Sequence, residues 1–446
     1  MARIGKWIGG GLGAVLLLAV ALYLASRWWP VPAAQRAALA QLRQAPPPLQ
    51  GPNLFVDLWL LPYAIPPAQR QAVLDEDLRR FRQGLAGQPL RSAASDYPRT
   101  PDWPSERVSR CNWDEDDCLA KVRARRQDYA QALAAQDALL ARMPVPTAAS
   151  GYRTPFPVHQ EGALPAFSVL QTPPMRRALD FVEGRTDPAL AGICNDGSVA
   201  RVLLRSGDNM LATTIGAAML RGNARLFAAM LAELPAQQAL PAQCAQAFAP
   251  LSVDEVSLCR PLRGEARALF ASLDAFDRTR AAPDERWYEA LGVTLLFDRA
   301  RSEALVAPAY TRTCAADVRA SLRADRRLAQ AQMTAPVGSP FSCLANQFGC
   351  ALVSLPASNF VGGAQRVLQD TAAAMRLTSA LLWLRAHPGV QPLSQRLAAL
   401  PPDLRGAQRP LQATADGQGV QVALYAHSEG DALRLPLPGS RLPHRN

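Results

Sequence analysis

The segment CNWDEDDC, residues 111–118, places four consecutive acidic residues between two cysteines. Such carboxylates could hold calcium, but a calcium loop also needs alternating oxygen ligands, a turn glycine and a distal glutamate, which are missing here. The alternative is a disulfide between Cys111 and Cys118 at the entrance of a helix. Because these positions of a continuous helix would lie about 10.5 Å apart, beyond the reach of a disulfide, the chain must turn between them. We predict this disulfide, with Asp114 as the N-cap of the following helix and no metal.

The chain contains eight cysteines, an even number without a C-x-x-C pair, and four isolated histidines. This pattern lacks the spacing of a zinc site, so we expect neither a metal nor a cofactor. Outside the cytoplasm, cysteines of this kind form disulfides. Closeness along the chain favours the pairs Cys111–Cys118, Cys244–Cys259 and Cys343–Cys350, which leaves Cys194 with Cys314.

Acidic residues offer the second candidate chemistry. Asp57 lies in the apolar run 54–61, and Asp57, the acids of 75–77 and Asp208 could meet in space as the paired carboxylates of a hydrolase. The alternative interpretation is that Asp57 faces solvent or caps a neighbouring helix. Nucleophile elbows, Walker loops, HExxH helices and S-x-x-K motifs do not occur in the sequence. Catalysis therefore stays open, and a non-catalytic role is favoured.

The N-terminal run 8–25 is apolar throughout and would span about 27 Å as a helix, enough to cross a bilayer core. Trp7 and Trp28 flank it, as aromatic side chains do at membrane interfaces. Arg3 and Lys6 precede it, which favours a cytoplasmic N-terminus. We predict a single-pass inner-membrane protein whose bulk is periplasmic.

Two alternatives concern this segment. The small-x-small pattern of 19–21 would suit a cleaved signal peptide, although it lies within the apolar run. Gly5, Gly9 and Gly13 are spaced four apart, which could let two anchors pack as a homodimer or could simply face lipid.

The net charge of +11 comes almost entirely from arginine, since Lys6 and Lys121 are the only lysines. The arginine-rich runs 122–126 and 323–327 contain no interleaved aromatic residues, so we expect solvated helix faces and no nucleic-acid binding. Attraction to anionic lipids or to an anionic envelope polymer stays open.

Hydrophobic periodicity predicts a mainly α-helical fold with a small C-terminal β-hairpin. The helices expected are 33–44, 67–81, one stripe from Leu119 to Leu140, the segment 175–234 with a turn at 206–208, and 262–276, 283–300, 314–333 and 363–387. The hairpin alternates at 420–424 and 433–437. The predicted organisation is a tail 1–6, an anchor 7–29, a helical segment 30–110, a disulfide-bonded core 111–400 and the hairpin region 401–446.

Four stretches resemble a family of gammaproteobacterial envelope proteins with an N-terminal membrane helix and an α-helical periplasmic region. They are 53–61, the C-x6-C-L-x-x-V-R run of 111–123, the helix around 209–220, and the NQFG motif of 346–349. The resemblance implies the fold and the location, and it carries no activity or catalytic residue to this chain.

Two function classes follow. The favoured one is a membrane-tethered periplasmic interaction or accessory protein, whose partner would be another envelope protein or an anionic polymer. The other is an envelope hydrolase that uses paired carboxylates. A deep cleft with converging acids would favour the hydrolase, and a broad apolar or arginine-rich groove would favour the binding protein.

Overall fold

The computed structural model describes residues 2–84, 90–106, 108–114, 117–158, 162–279, 287–329, 339–353, 357–426 and 430–441. The fold is mainly helical, as predicted, and ends in a small antiparallel sheet. The helices are α1 Ala2–Trp28, α2 Ala33–Arg43, α3 Phe55–Leu60, α4 Arg70–Gln83, α5 Cys118–Ala124, α6 Arg126–Ala134, α7 Asp137–Leu140, α8 Thr172–Val182, α9 Thr186–Leu204, α10 Met210–Ala232, α11 Gln243–Ala247, α12 Val253–Val256, α13 Cys259–Thr279, α14 Trp287–Leu296, α15 Arg299–Thr311, α16 Ala316–Arg323, α17 Gln347–Val353, α18 Ala357–Ala386, α19 Leu393–Ala398 and α20 Pro402–Arg405. The strands are β1 Gln412–Ala413, β2 Gly419–Ala423 and β3 Ala432–Pro436.

Helices α9 and α10 form the centre of the molecule, and the predicted turn at 206–208 separates them. Asn209 begins α10, because its side chain accepts a hydrogen bond from the Ala212 amide at 2.8 Å. A Cβ on Gly216 would lie 2.4 Å from the backbone nitrogen of Leu204, so only glycine permits this close approach. Around this pair, one hydrophobic cluster contains buried residues from Leu54 to Leu435, whereas Leu42 of α2 belongs to a small separate cluster.

Three helix predictions are corrected. The stripe from Leu119 to Leu140 is three short helices, because the backbone of Arg125 leaves the helical region between α5 and α6. The segment 283–300 contains α14 and the start of α15, since α14 ends at Leu296 and Asp298 caps α15 through the Arg301 amide at 3.0 Å. In the segment 314–333, helix α16 ends at Arg323, and Asp325 follows with a φ of 49° that no continuing helix allows.

All eight cysteines are paired in disulfides. The pairs Cys111–Cys118 and Cys343–Cys350 are confirmed. The other two predicted pairs, Cys244–Cys259 and Cys194–Cys314, are wrong: Cys194 is bonded to Cys244 and Cys259 to Cys314. The reason is tertiary, because α11 packs on α9 and brings Cys244 to Cys194, while Cys259 begins α13 beside the turn that contains Cys314. Closeness along the chain correctly predicted only the two disulfides whose cysteines are seven residues apart.

The CNWDEDDC segment turns, as predicted, so that the Cα atoms of Cys111 and Cys118 are 5.4 Å apart. The prediction that Asp114 caps the helix is wrong, since α5 begins four residues later, at Cys118. Asp114 instead pairs with Arg221 on α10 at 3.1 Å, and Arg225 donates to the Trp113 carbonyl at 3.1 Å. The stapled loop therefore lies against the central helix.

The predicted C-terminal hairpin is present as β2 and β3, with Val420 opposite Leu435 and Val422 opposite Leu433. These four side chains are buried against the helices. Strand β1, only two residues long, adds a third strand that the sequence did not indicate. Buried Arg409 ties the sheet to α18, because its guanidinium contacts Asp370 at 2.7 Å and lies 3.7 Å from the centre of the Tyr425 ring.

Helix α1 is apolar and exposed along most of its length. The window Gly11–Trp28 has a mean hydropathy of 1.7 and is 6 % buried, so α1 is long and apolar enough to cross a membrane by length and composition. A signal sequence passes the same test. A Cβ on Gly13 would meet no atom within 4 Å, and the surroundings of Gly5 and Gly9 lie outside the described part of the chain.

The C-terminal end of α1 is docked on the helical body. Ser26 is fully buried, and its hydroxyl donates to the Phe341 carbonyl at 2.7 Å and accepts from the Ala345 amide at 3.2 Å. Arg301 donates to the carbonyls of Ser26, at 2.9 Å, and Trp29, at 2.6 Å, where the helix has no further amides of its own. Helix α1 is therefore fixed to the body at this end.

Candidate anion-binding cleft

A cleft with a volume of about 520 Å³ lies where four separate segments of the chain meet. The first is the end of α2 with the proline run 46–48, which prevents the helix from continuing. The loop 148–153, the turn after α9 and one face of α13 close the cleft. None of these segments forms the cleft alone.

Arginine is the only charged residue type in the lining of this cleft. We call it the arginine cleft, after Arg153, Arg205, Arg260, Arg263 and Arg267. Arg260, Arg263 and Arg267 are three and four residues apart and so lie on one face of α13. Asp and Glu are absent from the lining residues that the structure describes. A surface of this composition suits carboxylate or phosphate groups.

The cleft arginines contact mainly neutral groups. Arg153 donates to the Pro47 carbonyl at 2.7 Å, Arg263 to the Gln41 carbonyl at 2.7 Å and Arg267 to the Gly207 carbonyl at 3.1 Å. These contacts hold the guanidinium groups in place without neutralising them. Within the described residues, only Arg205 of this set has an acidic partner, Glu255 at 3.1 Å.

Glu255 already forms an ion pair with the buried Arg201, at a distance of 2.9 Å. Arg205 therefore shares its acid with another cation. Arg260, in contrast, is exposed and has no hydrogen bond or ion pair to any described residue. The charge of Arg260 is the one most available to a ligand.

The pKa values in the cleft reflect burial and crowding of positive charge. Burial lowers the pKa of Arg267, and the neighbouring Arg153 and Arg263 lower it further, whereas Asp208 opposes the shift. Burial raises the pKa of Asp208, although the Thr154 amide and the nearby Arg153 and Arg267 act in the other direction. An additional anion would relieve the repulsion among the three arginines.

Tyr152 adds one unsatisfied polar group to the lining of the arginine cleft. Its side chain is 3 % exposed and packs between Phe55 and Phe167, and its hydroxyl has no hydrogen-bond partner among the described residues. Burial raises its pKa, and the negative charge of Asp208 adds to the shift. The hydroxyl therefore stays protonated and is a donor without an acceptor, which is costly inside a protein.

An apolar groove of about 560 Å³ adjoins the arginine cleft and shares Pro46, Arg153 and Arg267 with it. Three large apolar side chains in this groove are exposed: Val158 by 49 %, Leu164 by 41 % and Leu211 by 44 %. Together the two surfaces place a cationic wall beside an apolar floor. We refer to the second surface as the apolar groove.

Two acids, Asp208 and Glu265, also line the apolar groove. Asp208 accepts a hydrogen bond from the Thr154 amide, and Glu265 accepts one from the Met210 amide at 2.7 Å. Both carboxylates thus hold backbone amides of the groove walls. Of the acids that the sequence suggested for catalysis, only Asp208 lies here.

The remaining predicted acids have separate structural partners. Asp57 pairs with Arg70 at 3.0 Å, and burial raises its pKa against the effect of that arginine. Asp77 is fully buried and accepts from the Trp59 indole at 2.7 Å and from the Ala93 amide at 2.6 Å. Asp75 accepts a hydrogen bond from Gln71 at 2.9 Å.

Half-buried Glu76 lies beside two arginines of α4. Hydrogen bonds from Arg79 and then Arg80 lower its pKa to about 2. None of Asp57, Asp75, Glu76 and Asp77 lines the arginine cleft or the apolar groove. Asp57 and Asp77 hold α3 and α4 together, whereas the partners of Asp75 and Glu76 lie within α4.

Metal-ligand groups of three or more His, Cys, Asp or Glu are absent from the described residues. His387 stacks on Trp383 with a ring separation of 4.2 Å. His159, His427 and His444 lie outside the described residues.

Runs of adjacent arginines in the sequence do not mark the arginine cleft. The run 122–126 supplies surface ion pairs instead, such as Arg123 with Glu233 at 2.7 Å. The spacing of Arg260, Arg263 and Arg267 was the available signal, since it marks one helical face. Comparisons with protein-family models, curated proteins and solved structures give no significant match.

Proposed function

We propose that this chain is a membrane-tethered periplasmic interaction protein that binds an acidic segment of another envelope protein in the arginine cleft. The observation that supports this proposal is the lining itself: five arginines without a described carboxylate among them. The neighbouring apolar groove offers a place for apolar side chains of the same segment. An anionic polysaccharide would use the arginines but would gain little from Val158, Leu164 and Leu211.

The membrane part of the proposal rests on α1 and on the disulfides. An apolar exposed helix needs lipid around it, and four disulfides are compatible with an oxidising compartment. With Arg3 and Lys6 in the cytoplasm, the body lies in the periplasm and the anchor in the inner membrane. This placement agrees with the expected kinship to gammaproteobacterial envelope proteins, which stays a proposal.

Topology is tested by fusing a reporter enzyme that is active only in the periplasm after Asn446 and by sequencing the purified N-terminus. We expect reporter activity and an intact N-terminus. A mature chain that begins near Arg27 or Ala33 would mean that α1 is a cleaved signal sequence.

Binding is tested with the detergent-solubilised full-length protein and a fluorescent peptide of alternating Glu and Leu. We expect saturable binding that weakens as salt is added, because exposed charges are screened. A peptide with Lys in place of Glu is the matched control and should not bind. If an anionic polysaccharide binds and the acidic peptide does not, the ligand is a polymer instead.

The hydrolase remains the second hypothesis because Asp208 and Glu265 both line the apolar groove. Each of them holds a backbone amide of the wall, which argues for a structural role. Hydrolysis of the bound peptide or polysaccharide, lost in Asp208→Asn, would favour the enzyme over the binding protein.

A further inference from the structure

Five large apolar side chains are exposed on the body close to the end of α1. They are Phe276 on α13, Leu291 and Leu295 on α14, Leu344, and Phe348 on α17, and each is between 40 % and 48 % exposed. We call these five residues the apolar collar. A soluble surface seldom concentrates so many large and exposed apolar side chains.

Contacts with α1 place the apolar collar around the anchor. The Tyr23 hydroxyl donates to the Leu295 carbonyl at 2.7 Å. Ser26 contacts the backbone of Phe341 and Ala345, the latter directly next to Leu344. Arg27 donates to the Phe297 carbonyl at 3.4 Å, and the Phe297 ring packs on Phe276 with centroids 5.1 Å apart. The collar therefore lies beside the last turns of α1, at the end of its apolar window.

The geometry of α1 sets the depth of the collar. The apolar window ends at Trp28, and Trp28 and Trp29 are 75 % and 54 % exposed, as aromatic side chains of an interface are. At 1.5 Å per residue, Tyr23 lies about 7.5 Å further towards the membrane centre than Trp28. The backbone carbonyl of Leu295 accepts a hydrogen bond from Tyr23, so Leu295 must lie near that depth. Amphipathic elements at a membrane surface bury their apolar faces about 5–10 Å deep.

We propose that the apolar collar is buried in the outer leaflet of the bilayer that α1 crosses, at the boundary between head groups and acyl chains. This inference rests on the proposed membrane anchor and goes beyond it, since it places five residues of the body in lipid as well as α1 itself. We assign lipid as the occupant because the hydrogen bond from Tyr23 to Leu295 places the collar beside the apolar window of α1. Gly292, between Leu291 and Leu295, also meets no protein atom where a Cβ would stand.

Helix α2 transmits this placement to the arginine cleft. It begins at Ala33, shortly after Trp29, and its 11 residues extend about 16 Å to the cleft. Arg43 near its end pairs with Glu303 on α15 at 2.7 Å, and Leu42 is buried against Ala266 and Ala307. The arginine cleft is therefore held near the membrane surface, where the juxtamembrane acidic segment of a partner would reach it.

Site-specific photo-crosslinking in the full-length protein in native membranes tests the proposal. The variant Leu291→p-benzoylphenylalanine reports on the collar, and Val390→p-benzoylphenylalanine, at a fully exposed position outside it, is the control. Leu16→p-benzoylphenylalanine reports on the anchor itself. Each variant is irradiated in cells grown with labelled phospholipid. Formation of its disulfides, measured without reducing agent, confirms that the variant has folded.

We expect lipid adducts at positions 16 and 291 and several-fold fewer at position 390. Lipid adducts at 16 without adducts at 291 would overturn the collar proposal and leave the anchor intact. An adduct of position 291 with a second copy of the chain would assign the collar to a dimer and also overturn it. Absence of lipid at 16 would contradict the anchor, and the collar proposal would fall with it.

Discussion

The Nη1 atom of Arg301 lies 2.9 Å from the carbonyl oxygen of Ser26, and through this contact the body binds the end of α1. Helix ends leave carbonyls without amide partners, and a guanidinium supplies several donors in one plane. Helix α1 is thereby fixed to the body. In the proposed membrane placement, this link sets the orientation of the apolar collar and, through α2, the height of the arginine cleft above the membrane.

Removing the Arg301 side chain should therefore destabilise the protein. In Arg301→Ala, three backbone carbonyls lose a charged donor, and we expect the free energy of unfolding to fall by about 2 kcal/mol. The exposed Arg126 on α6 is the matched control, and Arg126→Ala should change stability by less than about 0.5 kcal/mol. The measurement is thermal unfolding in detergent with limited proteolysis at 27–33. Equal melting temperatures for the two variants would contradict the capping role.

Close packing of α9 and α10 predicts a severe effect of Gly216→Ala. The new Cβ would lie 2.4 Å from the Leu204 nitrogen and 2.7 Å from the Ala200 carbonyl oxygen, and neither backbone atom can move freely. We expect a loss of about 1–3 kcal/mol in stability. Gly292→Ala is the control, because it adds a methyl group to open space within a helix and should be neutral or slightly stabilising. A neutral Gly216→Ala would show that the two helices are further apart.

The disulfides should differ in their contribution to stability. Cys194–Cys244 closes a loop of 50 residues and Cys343–Cys350 one of 7, which correspond to about 4 and about 2 kcal/mol in the chain-entropy model. Replacing both cysteines of a pair by Ala should lower the melting temperature more for the first pair. Mass spectrometry of the non-reduced digest gives the connectivity, and a peptide that joins Cys244 to Cys259 would contradict the structure.

The features that the sequence predicts are those that depend on residues close together along the chain. The long apolar helix α1, the turn at 206–208, the C-terminal hairpin and the Cys111–Cys118 loop all depend on neighbouring residues, and periodicity or spacing predicts them. The bond between Cys194 and Cys244 depends on how α11 packs against α9. The role of Asp114 likewise depends on Arg221 of α10, a contact across the fold.

We expect Asp208 to make the stability of the folded protein depend on pH. Burial raises its pKa above the ordinary value of 3.8, so in the folded state it holds its proton where the unfolded chain has lost it. The ionised form therefore costs stability, and this cost grows as the pH rises from 3.8 through the raised pKa. Asp208→Asn keeps an acceptor for the Thr154 amide and removes the charge. We expect a higher melting temperature than the parent at pH 7, with a difference that shrinks as the pH falls towards 3.8. A constant difference at all pH values would contradict the shift.

The arginine cleft could be predicted only in part. The spacing of Arg260, Arg263 and Arg267 marks a cationic helix face, whatever that face meets. Arg153 and Arg205 join it from segments more than 50 residues away along the chain, and no local pattern announces their arrival. The same holds for Tyr152, whose unpartnered hydroxyl is visible only once Phe55 and Phe167 enclose its ring.

The measurement that tests the central claim is the affinity of the Glu-Leu peptide for Arg260→Glu compared with Arg126→Glu. Both residues are exposed arginines without a described partner, and both substitutions change the net charge by the same amount. Only Arg260 lines the arginine cleft. Loss of one charge-assisted hydrogen bond, about 1.5–3 kcal/mol, predicts roughly 10- to 100-fold weaker binding for Arg260→Glu. Arg126→Glu should bind like the parent at the same ionic strength. Equal affinity of the two variants would show that the peptide is attracted by overall charge and that the arginine cleft is not its site.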